Sequence, residues 1–258
     1  MRLKCAGLTD VGMVRDHNED TFYLSTEEAL CVVADGMGGH QSGEVASRMA
    51  IEEIVNYYRE SANTTEPIDF ASWPFRRKKP ESREERRLIA SMTLANQSIF
   101  AAASSNESYR GMGTTLVCAF FVEEGVFVAH VGDSRAYLLR DGKLSQISED
   151  HSLANEYIRM GILRVEDVEN FPYKNVITRA VGLADTVEVE TQFHVHKDGD
   201  VYLLCSDGLS DPCKNAEIEQ ILNKCGDDLE AACQELVRTA NRNGGPDNVT
   251  VVLAKTLL

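Results

Sequence analysis

Apolar positions recur along this chain at two periods, and the period predicts the element. Short apolar runs predict strands over residues 3–8, 22–24 and 30–34. Steps of three and four through Ala46, Met49, Ala50, Ile54 and Tyr57 predict a helix over about 44–58. Pro67, Pro74 and Pro80 then mark a polar stretch as loop. Ser82-Arg-Glu-Glu85 has the pattern of a capping box, and the helix it opens carries Leu88, Met92, Ala95 and Ile99 at helical spacing. Strands are predicted over 114–122, 126–131 and 136–139, and a helical excursion over 155–174. Residues 187–195 alternate apolar and polar, while 201–205 form a short apolar strand. Helices over 215–225 and 228–241 and a closing strand over 248–254 complete the chain. Strands and helices come in blocks rather than in strict alternation, which predicts an α+β fold with antiparallel sheets.

Four Asp-Gly pairs punctuate this pattern. Asp141-Gly142 and Asp198-Gly199 lie between strand-like runs and read as ordinary tight turns. Asp35-Gly36 and Asp207-Gly208 differ, because an uninterrupted apolar run precedes each. Such a run predicts a strand buried on both faces. A carboxylate ending a buried strand is costly unless a cation meets it.

Composition narrows the class. With 258 residues, 43% of them hydrophobic, the chain can build one large core, and no linker-like tract divides it, so residues 1–258 are expected to form a single domain. A net charge of -15 argues against a general nucleic-acid or anionic-membrane binder. The longest apolar run, Leu116 to Val122, has 7 residues, far short of a membrane span. The first ten residues contain no signal-peptide apolar core, and seven cysteines without a Cys-x-x-Cys pair suit reduced thiols in a cytoplasm.

Further acidic residues stand at strand ends: Glu19 and Asp20 before Phe22, Asp133 after a run ending at Gly132, and Asp247 before the last strand. Two carboxylates about 4 Å apart would repel by roughly 4 kcal/mol at an effective dielectric near 20. A divalent cation removes that penalty. An all-oxygen donor set, with no Cys or His motif at ligand spacing, favours Mg²⁺ or Mn²⁺ over zinc. Spacing alone does not show that these groups converge.

Seven segments, in order, carry a resemblance: GLTDVGMVRDHNEDTFYL, VVADGMGGHQSGEVAS, GMGTTLVCAF, VAHVGDSRAYLLRDGKLSQISEDHSL, ITRAVG, VYLLCSDGLSD and GGPDNVTVVL. With them the chain resembles the metal-dependent serine/threonine protein phosphatases of the PPM (type 2C) family, in their bacterial form. The resemblance implies two antiparallel sheets sandwiched together and flanked by helices, with a two-metal site at one end. Asp35 would bridge two Mn²⁺ or Mg²⁺ ions, and the Gly36 carbonyl would bind one of them. Asp207 and Asp247 would hold the other, with Glu19 and Asp20 around the site. Arg15 would take the substrate phosphate as a two-pronged donor. Asp133 with Asp207 would hold a third, weaker ion, and 155–174 would be a mobile flap. The implied reaction is hydrolysis of phosphoserine and phosphothreonine by a metal-activated water. Many eukaryotic members have histidine directly after the Asp-Gly pair; Met37 stands there, which leaves His40 or a metal-held water as acid for the leaving alcohol.

Several features have plainer readings. Gly111-Met-Gly113-Thr-Thr lacks the Gly-Lys-Ser/Thr of a P-loop and reads as tight backbone entering a strand. His194 and His196 share a strand face and read as exposed polar positions; His17, His130 and His151 read as structural or supporting groups. Seven basic residues within 76–87, in a segment outside the matching motifs, read as a solvated loop and helix start, with docking of an acidic partner as the alternative. The expected role is to oppose a Ser/Thr kinase on phosphorylated proteins, in the cytoplasm, as a monomer. Two other readings are a silent phosphoprotein-binding domain, disfavoured by the presence of Arg15, Asp35, Asp207 and Asp247, and a phosphatase of a sigma-factor antagonist.

Overall fold

The computed structural model describes residues 1–38, 42–62 and 82–257. His40, the three loop prolines and Arg76, Arg77, Lys78 and Lys79 lie outside the described residues. The chain begins with β1 (Arg2–Asp10), β2 (Asp20–Ser25) and β3 (Leu30–Met37), then α1 (Ser42–Ser61) and α2 (Arg83–Ser105). Next come β4 (Gly113–Thr114), β5 (Leu116–Phe121), β6 (Gly125–Val131), β7 (Arg135–Arg140) and β8 (Lys143–Gln146). A short α3 (Leu153–Arg159) and a 3-10 helix (Val165–Asn170) precede β9 (Glu190–Val195) and β10 (Val201–Cys205). The chain ends with α4 (Asp207–Ser210), α5 (Asn215–Cys225), α6 (Leu229–Arg242) and β11 (Val249–Leu257).

Two antiparallel sheets result. One has the order β1-β11-β10-β7-β8, the other β2-β3-β5-β6-β9 with β4 on β3. The facing layer between them is apolar: Leu3, Cys31, Val33, Val117, Leu138, Tyr202 and Val252. Residues alternate along each strand, so the next positions face outward. Ala6, Leu8 and Leu203 meet α5 and α6 through Ile218, Leu222, Leu236 and Val237. Val32 and Cys118 meet α1 and α2 through Ile54, Leu88, Met92 and Ile99. This is the predicted sandwich, helices on sheet on sheet on helices. Because both sheets are covered on both faces, β3, β5 and β10 read as continuous apolar runs.

The predicted cap at Ser82 is present, its Oγ accepting from the Glu85 N–H, and Asp228 adds a second, its Oδ1 accepting from the Ala231 N–H. The buried stripe of α1 holds Ile51, Val55 and Tyr58 beside Ala46, Ala50 and Ile54, while Met49 and Tyr57 are only partly buried. It is thus rotated by about one position from the stripe predicted. Arg83 and Arg87 are not simply solvated. Arg83 donates to Ser61 O; Arg87 donates to Tyr58 O and lies 4.6 Å above the Tyr58 ring. They supply the donors that the end of α1 lacks.

Three strand predictions are corrected. The run at 114–122 is split, because Thr115 turns its N–H to Asp35 O at 2.8 Å instead of staying in the ladder. Residues 187–189 precede β9 rather than belonging to it. On β9 the alternation is inverted: Phe193 and Val195 are exposed, with Phe193 against Phe127. His194 is half-buried, and His196, past the strand end, is buried with Nε2 on Glu123 O at 2.9 Å. An edge strand has one open side, which frees its side chains from strict alternation of burial. The 155–174 excursion is helical as predicted, in α3 and the 3-10 helix.

Candidate metal centre

The site is built where strands of both sheets end together. β2 and β3 are in register with Asp20 opposite Asp35. Asp207 follows β10 by way of Ser206, and Asp247 precedes β11, which pairs with β10. Asp133 lies between β6 and β7. The sandwich therefore delivers five carboxylates to one end, and their mutual influence shows that they meet. Burial pushes Asp35 well above the usual carboxylate range, and Asp20, Asp207, Asp133 and Asp247 push it further. Asp207 is raised likewise by burial, then by Asp133, Asp211, Asp247 and Asp20. Burial raises Asp20 to about 7, against relief from Thr250 and Ser206. Asp133 is raised to about 6 by burial and by Asp150.

Glycine at these Asp-Gly pairs is required by close approach. A Cβ on Gly36 would lie 2.1 Å from Gly43 O, and one on Gly208 would lie 1.9 Å from Asn248 O. The other two pairs use glycine differently. Gly142 and Gly199 have φ of 76° and 82°, and no heavy atom lies within 4 Å of a Cβ built on Gly199. Asp141-Gly142 is the β7–β8 hairpin turn, with positive φ at both residues. Asp198-Gly199 instead carries the chain from one sheet to the other.

Several positioning residues carry no motif signal as isolated side chains. Ser206 Oγ donates to Asp20 Oδ2 at 2.8 Å and accepts from the Thr250 N–H at 3.0 Å. Asn248 donates to Val11 O and His17 O and accepts from the Glu19 N–H at 2.8 Å, stapling the loop before β2 to the start of β11. That loop carries Arg15, whose Nη2 donates to Asp247 Oδ2 at 2.6 Å. Arg15 is thus placed at the site and is half-exposed beside it. Asp211, four residues after Asp207, was not singled out from sequence. It lines a cavity of about 510 Å³ with Asp133, Asp207, Lys174 and Asn175. Only its place in the SDGLSD segment could have marked it.

The donor chemistry fits a hard divalent cation. Asp20 Oδ1, Asp133 Oδ1 and Asp207 Oδ1 are buried without a hydrogen-bond partner, as is Glu19 Oε1, 3.8 Å from His17 Nε2. Buried carboxylate oxygens left bare in one place are what a bound cation satisfies. A second cluster, His130, His151 and Glu190, has ligand atoms within 4.8 Å of one another. Its hydrogen bonds oppose a metal. His151 Nδ1 accepts from the Gly132 N–H at 3.1 Å, so the ring proton sits on Nε2, the atom facing Glu190. Arg179 Nη1 lies 3.3 Å from that same nitrogen.

A sandwich of two sheets with a carboxylate-lined site at one end, its donors all oxygen among the described residues, defines a candidate centre for a hard divalent cation. Comparison narrows the class. The family profile described as "Protein phosphatase 2C" matches residues 14–257. The serine/threonine phosphatase stp of Listeria innocua is 38% identical over 250 residues, covering 96% of this chain and 93% of that protein. The crystal structure of the Mycobacterium tuberculosis serine/threonine phosphatase PstP/Ppp superposes with a TM-score of 0.86 at 34% identity, covering all of both chains. The catalytic domain of PstP in complex with two manganese ions superposes at 0.79 and 34% identity, covering 100% of this chain and 99% of that one. This chain belongs to the protein phosphatase 2C family.

Proposed function

We propose that this chain removes phosphate from phosphoserine and phosphothreonine in proteins, using Mn²⁺ or Mg²⁺. The observation that carries the reading is the set of buried, unpartnered aspartate oxygens at one end of a phosphatase 2C fold. Asp35, the Gly36 carbonyl, Asp207 and Asp247 would hold two ions, with Glu19 and Asp20 beside them. Asp133 and Asp207 would hold a third. When bound, such ions supply a nucleophilic water at neutral pH and offset charge on the phosphoryl oxygens. Arg15 holds the phosphate with a forked guanidinium. Its contact with Asp247 Oδ2 at 2.6 Å supports that role. The Ser206 hydroxyl and the Asn248 amide keep Asp20 and the Arg15 loop in place as substrate enters.

The substrates fit the role of opposing a Ser/Thr kinase, and seven free cysteines suit a cytoplasmic setting. Among the described residues no helix is long and apolar enough to cross a membrane. His40 is the nearest candidate in sequence for the acid that Met37 cannot be. The test is release of p-nitrophenol from p-nitrophenyl phosphate. It should stop with EDTA and resume with Mn²⁺ or Mg²⁺; full activity in verified metal-free protein would refute the reading.

A further inference from the structure

Two residues beside this site, neither of them in the metal-holding set, grip a neighbouring backbone in the same way. Thr115 donates its N–H to Asp35 O at 2.8 Å, and its Oγ1 accepts from the Asp35 N–H at 3.3 Å. His151 donates its N–H to Gly132 O at 2.9 Å, and its Nδ1 accepts from the Gly132 N–H at 3.1 Å. Each therefore satisfies both backbone groups of one residue. Thr115 fixes Asp35 directly. His151 fixes the residue before Asp133.

The two clamps are joined. Thr115 Oγ1 and Ser134 Oγ are 2.6 Å apart, and a Cβ on Gly132 would lie 2.7 Å from the Thr115 side chain. The Gly132 φ of 105° lies in the region that favours glycine, so this turn is not held by local preference of an ordinary residue. It is held by its partners. The His151 ring is in turn fixed. It is 3% exposed, stacks on His130 at 4.7 Å, and its carbonyl accepts from the Thr178 N–H at 2.8 Å. Its Nε2–H faces Glu190 Oε2 at 3.4 Å. With the Gly132 N–H donating to Nδ1, the ring proton is on Nε2, and Glu190 Oε2 on that side leaves Nδ1 as the acceptor. Orienting a ring through its second nitrogen is how supporting carboxylates act on histidine elsewhere.

We propose that His151 is a positioning residue of the reaction: its imidazole pins the Gly132 N–H and thereby sets the Asp133 carboxylate beside Asp207. This rests on the reading of Asp133 as a metal-holding residue. A one-ångström error in such a carboxylate matters because a cation site is defined by where its oxygens lie.

The test uses the full chain with Mn²⁺ and four variants. His151→Phe keeps the stacked ring and removes the acceptor; His151→Leu is the alternative should the phenylalanine variant not fold. His151→Asn puts an acceptor on the same carbon that bears Nδ1. Asp133→Ala and Asp133→Ala with His151→Phe complete a double-mutant cycle. Amide exchange at Gly132, followed by NMR, should quicken about tenfold in His151→Phe, the factor for one hydrogen bond of ordinary net strength. It should return toward the wild-type rate in His151→Asn. Turnover of p-nitrophenyl phosphate should fall in His151→Phe and largely recover in His151→Asn. The double variant should be no slower than Asp133→Ala, because both act through one carboxylate. Unchanged Gly132 exchange in His151→Phe, failure of asparagine to restore it, or additive losses in the double variant would overturn the proposal. Full turnover in Asp133→Ala would overturn the role of Asp133, and the catalytic half of the proposal with it; Gly132 exchange decides the clamp in either case.

Discussion

Stripping the metal should make this protein less stable as pH rises from 5 to 8. Unfolded aspartates lose their protons near the ordinary value of 3.8, whereas folded Asp20 keeps its proton to about 7 and Asp133 to about 6. A carboxyl raised on folding contributes stability that is complete below its unfolded pKa and is lost as pH climbs through the folded one. Between pH 5 and those values Asp20 spans two units and Asp133 one, and each unit is ~1.4 kcal/mol. His130, which burial holds down to about 4 against an unfolded value of 6.5, acts the other way by roughly 2 kcal/mol between pH 5 and 6.5. The metal-free fold should thus lose on the order of 2 kcal/mol net across the window, or about 6 °C in melting temperature. Mn²⁺ needs the same oxygens deprotonated, so its stabilisation should grow over the same window and proton release should accompany binding. The assay is thermal unfolding from pH 5 to 8 in EDTA and in excess Mn²⁺. The net charge of -15 acts in the same direction, so Asp35→Asn is the control, and its metal-free slope should be shallower. A metal-free melting temperature that is level or rises from pH 5 to 8 would refute the reasoning.

The remaining predictions concern single residues. Asp35→Asn should nearly abolish turnover and weaken Mn²⁺ binding by calorimetry, since it removes the charge at the centre of the cluster; wild-type turnover would show that Asp35 has been misassigned. Arg15→Ala should lower kcat/KM by about 1.5–3 kcal/mol, the scale of a charged hydrogen bond, with Mn²⁺ still bound; an unchanged kcat/KM would remove Arg15 from phosphate binding. Gly36→Ala should cost ~3 kcal/mol or more in urea unfolding, because its Cβ would sit 2.1 Å from Gly43 O. Gly199→Ala should cost only about 1–2 kcal/mol, since only its positive φ opposes a side chain; equal costs at the two glycines would contradict the two readings of Asp-Gly.

What could be read from sequence follows from where the information is local. The aspartates stand at the ends of apolar runs, and the cap at Ser82 precedes a periodic helix, so both are visible in a few consecutive residues. Gly36 and Gly208 could be separated from the turn glycines by the apolar runs before them, but the reason for glycine there is distant backbone, the start of α1 at Gly43 and the entry to β11 at Asn248, invisible in one dimension. Ser206, Asn248, Thr115 and His151 were legible only as parts of motifs. Their roles come from partners such as Asp20, Glu19, Asp35 and Gly132, up to 229 positions away. β9 misled because alternation predicts one buried face, whereas the open side of this edge strand leaves Phe193 and Val195 exposed. The stripe of α1 was displaced because Tyr57 and Tyr58 are alike in composition, and packing on Phe120 selects Tyr58.

The central claim is that aspartates with buried, unpartnered oxygens at one end of a phosphatase 2C fold assemble a metal centre for protein dephosphorylation. The most direct measurement is phosphate release from a phosphothreonine peptide by wild type and Asp35→Asn, with and without Mn²⁺. Release only by wild type with Mn²⁺ is the predicted result. Release by Asp35→Asn at the wild-type rate, or by metal-free wild type, would contradict the account.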